Sequence, residues 1–294
     1  MSLLHNAASV LGLNARNIDF ISKYNHRTDF RLVDDKLQTK KIIEDAGLPQ
    51  SQLLATYEWF WKIDNFEKEV LSRYDEFVIK PARGLAGGGI LVLKKKRPDV
   101  WSASSGREYS VAELKRHISD ILYGVYSIDN STDCAFVEKR LHQHEFFNSI
   151  APEGIADVRV IVFRGMPVMA MCRLPTAQSD GKANVSLGAI GAGIDLHTGI
   201  ITNAVTKTGP VKIHPDSGKT IIGKTVPGWD VILDISRKVQ IHFPLEYMGV
   251  DIVIDDNDGP LILELNARPG LEIQNANNTG LREVLLRNIK AGAV

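Results

Sequence analysis

Residues 249–266, Gly-Val-Asp-Ile-Val-Ile-Asp-Asp-Asn-Asp-Gly-Pro-Leu-Ile-Leu-Glu-Leu-Asn, constrain the chain more than any other stretch. Two apolar runs flank an Asp-Asn-Asp-Gly centre, which is the composition of a β-hairpin and its turn. Glu264 and Asn266 are two apart, so they share one face of a strand. A turn centred on Asn257-Asp258 sets Asp251 opposite Glu264, and one centred on Asp258-Gly259 sets it opposite Asn266. Either register brings the three side chains to one face, within reach of each other. Oxygen groups converging at the end of an apolar hairpin are costly unless something compensates them. A hard cation does so, and Mg2+ characteristically adds phosphate and water ligands. A solvent-facing strand edge explains one such carboxylate, but poorly an acid-Leu-amide set between apolar neighbours.

Lys80 is the second constraint. It lies inside an apolar strand, residues 77–82 (FVIKPA), followed by the loop Arg83-Gly84-Leu85-Ala86-Gly87-Gly88-Gly89 and a second strand, ILVLK. A lysine in such a strand calls for an anion. The glycines leave backbone N–H groups free to approach a phosphate closely, and the tip of this hairpin is expected to be mobile. No Gly-Lys-Ser/Thr follows, so this is not a Walker loop. An ordinary flexible hairpin tip is the plain alternative. Lys36 opens a helix over 36–46, stopped by Gly47 and followed by Pro49, and on its own reads as a solvated helix start.

Elsewhere, residues 110–123 read as a helix with Ser110 and Glu113 as a capping box. CAFVEKRL is a strand, and DVRVIVFRGMPVMAMCRL is two strands joined at Arg164-Gly165-Met166-Pro167. Asp157 and Arg159 alternate on the first of these, and Arg173 lies on the second. An arginine within MAMCRL is directed at an anion or a buried carboxylate. For Arg159 a structural salt bridge is an equal alternative. Residues 175–228 read as loops and short strands, 229–242 as a helix, and 281–291 as the last helix. Strands and helices do not alternate as βαβ units, which favours α+β lobes over a doubly wound sheet. His142 and His144 lack a third metal-binding partner and read as rim residues, and there is no nucleophilic Ser/His/Asp or Cys/His set.

The chain has 294 residues, 44% of them hydrophobic, enough for one large domain or two lobes sharing a cleft. Lys+Arg and Asp+Glu both number 35, so there is no basic excess for nucleic acid or a membrane surface. The two cysteines, Cys134 and Cys172, sit in apolar stretches and read as reduced core residues. The N-terminus lacks a signal-peptide pattern and no apolar window is long enough to span a membrane, so the cytoplasm is the expected location.

Taken in order, DDKxxTK, FVIKP with its glycine loop, FVEK, DVR, GVD and ELNARPG resemble the ATP-grasp superfamily. The closest resemblance is to RimK-related α-L-glutamate ligase-like proteins, and HPDSGKTIIGKTVPGWD also resembles the sugar-transfer-associated ATP-grasp group. The similarity runs over roughly residues 14–290. It implies an α+β fold whose two lobes grip ATP, with a smaller lobe at about 48–140, a metal-binding lobe at about 141–294, and a short segment, 1–35, ahead of them. It implies that Lys36 and Lys80 hold the α- and β-phosphates and that Gly84, Gly87, Gly88 and Gly89 close over them. Glu138 and Lys139 fall at the adenine strand, and Glu145 is the candidate for the ribose. Asp251, Glu264 and Asn266 would bind two Mg2+ ions, with Mn2+ as a substitute. Arg159, Arg173, Asn184 and Arg268 would face the γ-phosphate or a carboxylate substrate.

The implied reaction joins a carboxylate to an amine through an acyl-phosphate, releasing ADP and phosphate, with glutamate as donor on resemblance alone. Phosphoryl transfer needs positioning and charge neutralisation more than a protein nucleophile. The rival readings are a phosphotransferase acting on a hydroxyl and a non-catalytic nucleotide-binding module. One departure stands out: typical relatives carry a full N-terminal α/β domain that helps hold substrate, whereas about 35 residues precede Lys36 here. The expected acceptor is therefore large, such as a peptide or protein, or is presented by a partner protein or a second copy of the chain.

Overall fold

A computed structural model describes residues 9–84, 87–103, 105–127 and 131–291; Leu85 and Ala86 of the glycine loop lie outside them. The chain divides into two compact units, one holding residues 35–38 and 51–141, the other the rest of the described chain. No helix among the described residues is long and apolar enough to cross a membrane.

The first unit begins at Asp35, whose carboxylate accepts from the N–H groups of Leu37 and Gln38 and so starts α1 (Lys36–Asp45). Its sheet contains β1 (Leu53–Tyr57), β2 (Glu76–Pro81), β3 (Leu91–Arg97), β4 (Val100–Ala103), β5 (Glu108–Ser110) and β6 (Ala135–Lys139), all antiparallel, in the order β1-β6-β2-β3-β4-β5. α2 (Val111–Leu122) opens with the expected capping box, Ser110 Oγ accepting from the Glu113 N–H and the Glu113 carboxylate accepting from the Ser110 N–H. Its Leu114 and Ile118 pack with Phe77, Ile79, Leu93 and Val137 from one face of the sheet. Strand alternation therefore turns Val78 and Lys80 to the other face. Glu138 stands opposite Val78 and joins Lys80 on that side.

The second unit carries β7 (Asp157–Phe163), β8 (Met166–Leu174), β9 (Ile190–Ile194), β10 (Ile201–Thr206), β11 (Gly209–Pro210), β12 (Tyr247–Asp255) and β13 (Gly259–Asn266), ordered β11-β10-β9-β8-β7-β12-β13. Both faces are covered, which is why DVRVIVF is apolar almost throughout. Val158, Val160, Val162, Met248 and Val250 pack on one side with Ile232 and Val239 of the helix Trp229–Ile241. Ile161, Phe163, Met169, Met171 and Tyr247 pack on the other with Phe20 and with Leu281 and Leu285 of the C-terminal helix. Cys172 is fully buried as expected, but Cys134 is only half-buried.

The 249–266 hairpin forms, but by neither of the two turns the sequence suggests. Its loop is three residues, 256–258, with Asp255 paired to Gly259. The Asp255 carboxylate accepts from the N–H groups of Asn257 and Asp258, and Gly259 takes a left-handed φ of 72°. This register alone would set Asp251 opposite Leu263. A bulge at Leu263, which is exposed, shifts the pairing by one, so that Asp251 stands opposite Glu264.

Candidate active site

Strand parity assembles a charged cluster in the second unit. On β7 the odd-numbered residues 157 to 163 share one face, and Ile161 and Phe163 show which face that is. Asp157 stands opposite Arg173 of β8, and Arg159 opposite Asp251 of β12. Asp251 in turn stands opposite Glu264 of β13, and Asn266 follows on the same face. Four adjacent strands thus place six polar side chains on one side of the sheet.

Their contacts are dense. Arg159 donates Nε to Asp251 Oδ1 at 2.7 Å and Nη2 to Asp251 Oδ2 at 2.6 Å. Arg173 holds Asp157 with two donors, and its Nη2 also reaches Asp251 Oδ2 at 2.7 Å. Asn266 Nδ2 donates to Asp251 Oδ2 at 3.1 Å. The core of the cluster is two carboxylates and two guanidiniums, neutral in sum and largely removed from water. Burial favours a protonated Asp251, but the two arginines outweigh it and hold the carboxyl below its ordinary range. Burial pushes Asp157 up, and its neighbour Asp251 adds to the rise, although Arg173 opposes it. Despite the cost of burial, Asp157, Asp251 and Glu264 together keep Arg173 firmly protonated.

The donor set suits a hard cation in kind, being two carboxylates and an amide oxygen. Glu264 and Asn266 are half-buried, whereas Asp251 is fully enclosed and already bound by both arginines. Its Oδ2 already accepts from Arg159, Arg173 and Asn266, whereas Oδ1 accepts from Arg159 alone, so an ion at Asp251 would compete with these donors. Among the described residues no group of three or more His, Cys, Asp or Glu side chains could hold a metal by itself, so ligand oxygens would have to complete the shell.

The first unit pairs Lys80 Nζ with the buried Glu138 carboxylate, so the lysine of the apolar strand has an anion within the protein. Lys139 faces Phe77 across the ladder, on the opposite side of the strand from Glu138. Lys36 Nζ donates to the Gly84 carbonyl at 2.9 Å, and His117 Nε2 meets the Gly89 carbonyl at 2.9 Å. Both ends of the glycine loop are thus tied by side chains. Gly89 has a φ of 75°, and a Cβ there would come within 2.7 Å of the Tyr126 ring. Asn184 caps a short turn, accepting from the Ser186 N–H, and Glu145 is exposed at the start of a helix in the second unit. Among the described residues, neither forms a hydrogen bond or ion pair with the arginine cluster. Arg268 pairs with Asp34 at 3.2 Å and lies over the Phe30 ring.

The model of the sugar-transfer associated ATP-grasp family matches residues 15–291, almost the whole chain. The chain belongs to that family. Its fold is the ATP-grasp fold, α+β with two antiparallel sheets. Among solved structures, the D-alanine-D-alanine ligase from Coxiella burnetii is 14% identical, with a TM-score of 0.51, over 88% of this chain and 57% of that one. The ATP-grasp ligase PsnB, solved with a minimal precursor, is 16% identical with a TM-score of 0.47, over 91% of this chain and 63% of that one. The ATP-grasp chain thus spans less than two thirds of either protein. No curated protein matches it.

Two partners in the site carry no clear sequence signal of their own. Asp157 was visible only as the residue alternating with Arg159, and its grip on Arg173 depends on a strand pairing. His117 lies on the buried stripe of α2 with Leu114, Ile118 and Ile121, and nothing local marks it as the tie for Gly89.

Proposed function

We propose that this ATP-grasp chain is a Mg2+- and ATP-dependent ligase that joins a carboxylate to an amine. The observation that carries the reading is the Asp157–Arg173–Asp251–Arg159 network with Glu264 and Asn266 beside it. It combines cationic donors suited to phosphoryl oxygens with hard oxygen ligands.

In this reading Lys36 and Lys80 bind α- and β-phosphate oxygens, the glycine loop from Gly84 to Gly89 supplies backbone N–H groups, and Glu138, Lys139 and Glu145 serve the nucleoside. Asp251, Glu264 and Asn266 are the metal ligands, and bound Mg2+ supplies charge neutralisation to the phosphates. Arg159 and Arg173 stabilise charge on the transferred phosphoryl group and on the acid, with Asn184 and Arg268 orienting the substrate. The acid's carboxylate oxygen attacks the γ-phosphorus and ADP leaves. The amine then attacks the acyl carbon, phosphate leaves, and the amine proton passes to solvent. Every role is electrostatic or positional, as such transfers require. Glutamate as the amino acid used is the finer form of the proposal.

The test is a screen of amino acids and short peptides for release of ADP and phosphate that depends on the added substrate. Support requires both products together with a new amide bond.

A further inference from the structure

The N-terminal segment, Pro244 and Arg268 line a cavity of about 660 Å3 in the second unit, within the range of metabolite sites. Its lining includes Lys23, Arg27 and Arg268, together with His26, and contains no carboxylate. Neither Lys23 nor Arg27 forms an ion pair among the described residues, although Lys23 lies 5.4 Å from the Tyr24 ring. Arg268 has only a half-exposed partner, Asp34, and such pairs are weak. Phe30 and Tyr24 supply flat apolar walls.

The cavity rests on a fixed frame. Asn25, buried, donates Nδ2 to the Tyr247 carbonyl at 2.7 Å and accepts from the Tyr247 N–H at 3.0 Å, in the manner of a strand pair. Buried Arg16 donates to the Pro269 carbonyl at 2.7 Å, next to Arg268. The Tyr24 ring stands 4.9 Å from Phe163, on the sheet face that carries Arg159 and Asp251. Arg268 follows Asn266 by two residues. Lys23 and Arg27, neither in an ion pair among the described residues, and Arg268, held only by an exposed carboxylate, leave positive charge around aromatic walls that an anion would offset.

We propose that this cavity binds a small acid carrying a carboxylate and a second anionic group, with Lys23 and Arg27 as selecting residues. As the seat of the acid substrate it rests on the ligase reading; as an anion site it does not. The selectivity follows from the separation of charge, since an acid with two anionic groups engages cations at two places where a single compact anion engages one.

The probe is 3-phosphoglycerate, titrated by calorimetry into the full chain, with inorganic phosphate and lactate as comparisons and Mg-ADP titrated separately. The expected result is that 3-phosphoglycerate binds more tightly than either comparison. A Lys23→Ala/Arg27→Ala variant, altered only at exposed positions, should lose about tenfold or more of that affinity while binding Mg-ADP as before. Equal affinity for the three probes, or unchanged 3-phosphoglycerate binding in the variant, overturns the proposal. Absence of Mg-ADP binding to the unaltered chain would instead strike the ligase reading and leave the anion site standing on its own titration.

Discussion

Arg159 and Asp251 stand directly opposite each other on β7 and β12 and close a two-point ion pair, at 2.7 and 2.6 Å. Arg159 is 9% exposed and Asp251 0%. Removing Arg159 leaves two buried carboxylates sharing one guanidinium, Arg173, and loss of one partner of a buried pair costs about 3–5 kcal/mol. Arg159→Leu should therefore lower the unfolding free energy by an amount in that range, read as a lower urea midpoint at unchanged slope. An Arg159→Leu/Asp251→Leu double variant leaves the Arg173–Asp157 pair balanced and should recover most of the loss. A single variant as stable as the parent would show that the pair does not hold the sheet.

Lys80 needs a controlled variant because Glu138 is its buried partner. Lys80→Ala alone strands that carboxylate and confuses stability with binding. Lys80→Met/Glu138→Gln removes the pair together and should fold. It should bind a non-hydrolysable ATP analogue more weakly than Glu138→Gln alone by about 1.5–3 kcal/mol, the size of a lost charge-assisted contact. Calorimetric titration reads this, and equal affinity in the two variants would remove Lys80 from the phosphate site.

The 249–266 segment shows what was legible in the sequence and what was not. Alternation and an Asp-Asn-Asp-Gly centre are local signals, and they located the hairpin. The bulge at Leu263 is not local, because it depends on which partner residues the strand meets, and it corrects a turn that would have separated Asp251 from Glu264. The capping box of α2 and the helix at 229–242 were also readable from short-range pattern. β4 and β5 were not, since VWSA and EYS are too short to show a period. Arg159 and Arg173 could be singled out as arginines in apolar strands, but their shared grip on Asp251 exists only across three strands.

Glu264 faces both Asp251, which repels it, and Arg173, whose charge it supports. These effects oppose each other, so Glu264→Gln should change stability by less than about 1 kcal/mol. It should nevertheless abolish turnover and weaken Mg2+-dependent nucleotide binding, since an amide is a poorer ligand for a hard cation. Nucleotide titrations with and without Mg2+ separate the two effects. A variant with full activity would exclude Glu264 as a metal ligand.

His117 links pH to the glycine loop. Burial holds its imidazole below the ordinary value, partly offset by the Gly89 carbonyl. Below about pH 6.5 the unfolded chain gains a proton that the folded chain resists, so stability should fall as the solution is acidified through and below that point. Above it the contribution is complete. Urea unfolding of the parent and of His117→Gln across pH 5 to 8 tests this, and the expected result is a shallower acid slope in the variant. Identical slopes would assign the acid sensitivity to other groups.

The most direct measurement of the ligase reading follows the γ-phosphate. With γ-labelled ATP, Mg2+ and an acid–amine pair found in the substrate screen, the label should appear as free phosphate in step with amide product, and Glu264→Gln should stop both. Label retained in a stable phosphorylated small molecule would contradict the reading and assign the chain to phosphoryl transfer onto a hydroxyl.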